Sequence, residues 1–164
     1  MKWGIFLIEK YFIFGNSLDL MAQSKFHFGS ILLVDDSEID ILVNRRLMEL
    51  TFFASHVTVT NTGEEALHFL RVECNSTKSA PDWIFLDMYL PMMSGFDFIE
   101  EFKTLPDFIK EKTKIIILSV FQKQEKLQKA LEYNFVAGQL EKPLTQQSLN
   151  LLAVNKSNKV NASS

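Results

Sequence analysis

Three continuous apolar tetrads, each stopping at a polar residue, constrain this chain most. Ile31-Leu32-Leu33-Val34 ends at Asp35-Asp36, Trp83-Ile84-Phe85-Leu86 at Asp87, and Ile115-Ile116-Ile117-Leu118 at Ser119. An unbroken apolar run of this length reads as a short strand buried on both faces. Such strands belong to parallel sheets with helices packed on either side.

The text between the tetrads supplies those helices. Ser37 with Asp40, Thr62 with Glu65, and Ser94 with Asp97 repeat a capping-box spacing that opens a helix. The first helix is predicted to turn Ile39, Val43, Leu47 and Leu50 inward, the second Ala66, Phe69 and Leu70, and the third Ile99, Phe102 and Leu105, with Pro106 as its stop. His56 to Thr60 alternates like a strand. Gln122 to Tyr133 reads as a fourth helix around Leu127, Ala130 and Leu131. Phe135 to Leu140 is a weaker strand closed by Lys142-Pro143, and Thr145 opens a last helix through Leu149, Leu151 and Leu152. The order is (βα)5, an α/β doubly wound parallel five-stranded sheet.

The 164 residues with 47% hydrophobic content suffice for one domain with an ordinary core. We expect it to span residues 30–155, with an extension over 1–29 and a polar, frayed tail over 156–164. The apolar start, MKWGIFLIEKYFIF, is split by Glu9 and Lys10 into runs too short for a signal-peptide core or membrane span. It reads either as a poorly ordered extension, with Met21 as the working start, or as an interfacial helix using Trp3, Ile5, Phe6, Ile8 and Phe12. The single cysteine, Cys74, excludes an internal disulfide and fits the cytoplasm. A net charge of -3 without a basic stripe speaks against direct nucleic-acid binding.

In an open parallel sheet, functional groups gather beyond the carboxyl ends of the strands. Asp35, Asp36, Asp87, Ser119 and Lys142 all lie at such ends. Clustered carboxylates repel one another unless a cation compensates, and hard oxygen ligands suit Mg²⁺. A metal, a hydroxyl and an ammonium beside a nucleophilic carboxylate form a site for a phosphoryl group. The plain alternatives are a helix-terminal charge pair for Asp35-Asp36, a strand-end hydroxyl for Ser119 and a surface turn for Lys142. His27, His56 and His68 have no ligand spacing. Met88, Met92 and Met93 read as packing or loop residues, and Lys123, Lys126 and Lys129 as a solvated helix face.

The segments ILLVDD, IFLDMYLPMMSG, IIILS and EKP, in that order from about Ser30 to Asn155, resemble the signature segments of response regulator receiver domains of the stand-alone type. The resemblance implies a flavodoxin-like receiver fold with Asp87 as phosphoacceptor. It implies Mg²⁺ held by Asp35, Asp36, Asp87 and the backbone carbonyl of Tyr89, with Ser119 and Lys142 assisting transfer. It also implies a commonly cis Lys142–Pro143 bond, and Pro91 and Gly95 in the turn after the phosphoacceptor, with Gly95 relieving backbone strain. The implied partners are a sensor histidine kinase or phosphotransfer protein and an unknown downstream protein. Beyond self-phosphorylation and autodephosphorylation, no enzyme activity is implied. One position departs from the pattern: Gln139 stands where the family usually carries a switch aromatic. That leaves room for a degenerate receiver acting as a scaffold. An aspartyl-phosphate phosphatase is the other alternative, but it would want a second Asp where this chain has Tyr89.

Overall fold

The computed structural model describes residues 27–120 and 125–161, with side chains as far as Ala153. The two readings of the apolar start concern residues outside this range, as do Phe121 and Lys123.

Five strands form one parallel sheet in the order β2-β1-β3-β4-β5. They are β1 (Phe28–Val34), β2 (Ala54–Thr60), β3 (Trp83–Asp87), β4 (Lys114–Ser119) and β5 (Val136–Glu141). The helices are α1 (Glu38–Leu50), α2 (Gly63–Val72), α3 (Gly95–Phe102), α4 (Asp107–Lys112), α5 (Glu125–Leu131) and α6 (Gln146–Asn161). The three tetrads form the sheet's centre because every second residue finds a core on its own side. Leu32, Val34, Ile84, Leu86, Ile115 and Ile117 pack with Ala66, Leu70, Phe98, Phe102 and Leu127 of the helices on one face. Ile31, Leu33, Phe85, Ile116 and Leu118 pack with Met48, Phe53 and Leu149 on the other. The expected (βα)5 order and flavodoxin-like topology are present.

Several local expectations require correction. In α1 the exposed side chains include Ile39, Val43 and Leu50, while Asn44 and Met48 are the buried ones. Apolar residues lie all round this helix, so its period alone did not fix its phase. In α2, Phe69 is half-buried and Leu67 takes an inner place beside Ala66 and Leu70. Leu131 is half-buried and Leu151 exposed. The third helix ends at Phe102 with Lys103 as its C-cap, before Pro106; the proline instead stands at the N-cap of α4, a short helix that buries Ile109. β1 starts at Phe28 rather than Ser30, and α6 continues past Asn155 to Asn161.

A partly exposed clamp fixes the start of β1. Asp82 Oδ2 accepts the N–H groups of Gly29 at 2.7 Å and Ser30 at 3.2 Å, and Asp82 pairs with Lys112 at 3.5 Å. The far end of the sheet is thereby held in register with the carboxyl ends, where strand order reverses between β1 and β3.

Candidate functional site

At that reversal, β1 runs out into Asp35 and β3 ends on Asp87. Register places Val34 beside Leu86 and Asp87 beside Leu118, so Ser119 follows one residue further along β4. Asp35 is fully buried, and Asp87 and Ser119 are nearly so, while Asp36 is exposed. One oxygen from each of Asp35, Asp36 and Asp87 can be chosen so that all three lie within 4.8 Å of one another.

Lys142 enters from the end of β5. Its N–H donates to the Ser119 carbonyl at 3.1 Å, and the Lys142–Pro143 peptide bond is cis. The ammonium reaches Asp87 Oδ2 at 2.5 Å, Asp35 Oδ2 at 2.8 Å and Asp40 Oδ2 at 2.9 Å. The other Asp87 oxygen accepts the Tyr89 N–H at 2.8 Å, and Asp35 Oδ1 accepts the Ser37 N–H at 3.0 Å. These bonds fix which oxygens face the cleft.

The electrostatics follow from burial and this pairing. Burial raises the Asp35 carboxyl above its ordinary pKa, against the opposing pull of Lys142 and the Ser37 N–H. Burial would lower Lys142, but its contacts with Asp35, Asp87 and Asp40 outweigh that and hold the ammonium well above the ordinary lysine value. Three carboxylates, Asp35, Asp40 and Asp87, thus share the Lys142 ammonium, and Asp36 lies beside them without such a contact among the described ion pairs. Asp35 Oδ2 is buried and takes part in no hydrogen bond of regular geometry, although Lys142 lies near it. An under-satisfied buried oxygen in a set of hard oxygen donors fits a small divalent cation such as Mg²⁺.

A profile of the response regulator receiver domain matches residues 31–153. The chain belongs to the response regulator receiver domain family. This receiver domain is 26% identical over 119 residues to a probable methanogenesis regulatory protein, FilR2, from Methanothrix harundinacea, covering 73% of this chain and 75% of that one. A two component response regulator from Cytophaga hutchinsonii superposes with a TM-score of 0.71 at 26% identity, over 79% of this chain and 96% of that one. The receiver domain of a sensor histidine kinase from Pseudomonas aeruginosa, solved with a magnesium ion coordinated in its active site cleft, shares the fold at 21% identity and a TM-score of 0.60, over 76% and 93% of the two chains.

The predicted residues therefore meet at one edge of the sheet, and one that was not predicted joins them. Asp40 was read only as half of a capping box; here its carboxylate contacts Lys142. The sequence carries no signal that separates this Asp from Asp97, which does complete its box. Gln139 is half-buried in the middle of β5 beside Ile117. Gly95 also has a different role from relief of strain. Among the described glycines only Gly138 has a positive φ, whereas a Cβ on Gly95 would lie 2.5 Å from the Asp87 carbonyl oxygen. Gly95 is needed for close approach. Met88 is buried, and Met92 is almost wholly exposed with φ 66° in the turn after Asp87. Among the described residues, no helix is long and apolar enough to cross a membrane.

Proposed function

We propose that this receiver domain accepts a phosphoryl group on Asp87 from the phosphohistidine of a histidine kinase or phosphotransfer protein. The observation that carries the reading is the 2.5 Å contact of Lys142 with Asp87 beside the Asp35 and Asp36 carboxylates. An oxygen of Asp87 forms the new P–O bond as the P–N bond to the donor imidazole breaks, and the imidazole leaves as the electron pair returns to nitrogen. Lys142 neutralises charge on the transferring oxygens, and the Ser119 hydroxyl donates to one of them. The Tyr89 N–H keeps the second Asp87 oxygen turned from the attack.

Asp35, Asp36, Asp87 and the Tyr89 carbonyl would hold Mg²⁺, which when bound offsets the negative charge of carboxylates and phosphoryl group together. The phosphorylated domain signals to a downstream protein by conformational change or passes the group onward. Its setting is the cytoplasm, and its partners are proteins rather than nucleic acid. Incubation with a histidine-phosphorylated phosphotransfer domain and Mg²⁺ tests this. Radiolabel should move to the receiver domain and should be lost when EDTA is present; retention of all label on the donor across several cognate candidates would overturn it.

A further inference from the structure

Three helices of this chain open on the same sequence spacing, but only α3 closes the full box, and only at α1 does the acidic side chain leave the helix start for another partner. At α3, Ser94 Oγ accepts the Asp97 N–H and the Asp97 carboxylate reaches back to the Ser94 N–H, closing the box. At α2, Thr62 Oγ1 accepts the Glu65 N–H and the Glu65 carboxylate accepts the N–H of Asn61. At α1, Ser37 Oγ accepts the Asp40 N–H, but the Ser37 N–H is already taken by Asp35 Oδ1. The Asp40 carboxylate is left out of the cap and lies 2.9 Å from Lys142 Nζ instead.

A lysine ammonium has three N–H donors. Here three carboxylates, Asp35, Asp40 and Asp87, already lie within 2.9 Å of it, so a further anion must compete with them for the ammonium. A phosphoryl oxygen arriving at Asp87 can gain this lysine only if a partner yields. Asp35 is fully buried and would be left as an unpaired charge, which is costly. Asp40 has a side chain 41% exposed, and water can replace the lysine there.

Resting on the assignment of Asp87 as phosphoacceptor, we propose that Asp40 is a positioning residue that competes with the phosphoryl group for Lys142. It holds the ammonium in the unphosphorylated site and gives it up as the group arrives. That release frees the first turn of α1, so phosphorylation is reported to this helix directly from the site. Asp40 touches neither the reacting atoms nor the donor; it acts through Lys142.

The test is a double-mutant cycle of Asp40→Asn and Lys142→Ala, labelled by acetyl phosphate at saturating Mg²⁺, where acetate leaves as the Asp87 P–O bond forms. Asp40→Asn should label about two- to fivefold faster than the unaltered protein, the range expected for a partly exposed ion pair. Asp40→Glu should restore the original rate. In the Lys142→Ala background Asp40→Asn should change nothing, whereas a capping role alone would persist there. Thermal unfolding of the same four proteins reads the pair without any labelling and should show coupling between the two positions. An unchanged rate in Asp40→Asn, an acceleration that survives loss of Lys142, or absence of coupling in unfolding would each overturn the proposal. Failure of the unaltered protein to label at Asp87 would instead remove the phosphoacceptor assignment on which it rests.

Discussion

Gly95→Ala should destabilise this domain by an amount set by backbone atoms rather than by torsion. The added Cβ would stand 2.5 Å from the Asp87 carbonyl oxygen and 2.8 Å from Met88 Cα. Both belong to the chain that carries the acceptor, and neither is the end of a flexible side chain. The Gly95 N–H also donates to the Met88 carbonyl at 3.1 Å, so separating the two segments strains a hydrogen bond. Inserting one methyl group into tight packing costs about 1–3 kcal/mol, and rigid neighbours place this case at the upper end. Alanine recovers up to about 1 kcal/mol through helix propensity and a less flexible unfolded chain. A net loss of about 2 kcal/mol remains, which lowers a urea midpoint by about 1 M. Gly63→Ala is the internal control, because its Cβ would meet the Met93 side chain, Sδ at 2.9 Å and Cγ at 3.2 Å, which can swing away. Urea unfolding of both variants is the assay, with acetyl phosphate labelling in parallel. Labelling should fall only in Gly95→Ala, because what must move there is the Asp87 backbone. A Gly95→Ala midpoint no lower than that of Gly63→Ala would refute the close-approach argument.

Two further changes probe the charges. Asp36→Ala should weaken Mg²⁺ binding at least about tenfold by calorimetric titration, since even outer-shell partners of a metal are worth that much; equal affinity would remove Asp36 from the ligand set. Lys142→Ala leaves the fully buried Asp35 without its cation and should cost about 3 kcal/mol of stability at neutral pH by urea unfolding. The sign with pH follows from Asp35, whose pKa is already raised in the folded state. The folded form then holds its proton where the unfolded form has lost it, so stability falls as pH rises above the ordinary carboxylate range and recovers as pH drops toward it. The Lys142→Ala loss should therefore shrink on acidification, and a deficit constant from pH 4 to pH 8 would contradict this origin.

The central strands were legible because double-sided burial leaves an unmistakable mark: Ile31 to Val34 and Ile115 to Leu118 contain no polar residue at all. The site was legible for a related reason, since each apolar run stops at a polar group and topology brings strand ends together. What the sequence hid were matters of phase and competition. The α1 helix has apolar residues on several sides, so Asn44 and Met48 could not be picked out over Ile39 and Val43 as its inner face. The Asp40 carboxylate left its cap because Asp35 had taken the Ser37 N–H, an outcome decided by three-dimensional rivalry for one donor. The short α4 was hidden behind Pro106, which reads as a stop although α3 has already ended at Phe102 and the proline opens the next helix. Gln139 lies half-buried in β5, where register between β4 and β5 shifts near Ile115 and Ile116, an irregularity no spacing rule reveals.

The central claim is that Asp87 receives the phosphoryl group, and mapping the adduct tests it most directly. The protein is incubated with Mg²⁺ and acetyl phosphate, digested, and analysed by mass spectrometry with and without hydroxylamine. The account predicts one hydroxylamine-labile phosphoryl group on the peptide containing Asp87, absent from an Asp87→Asn protein that still unfolds cooperatively. A phosphoryl group on another residue, or equal labelling of Asp87→Asn, would contradict it.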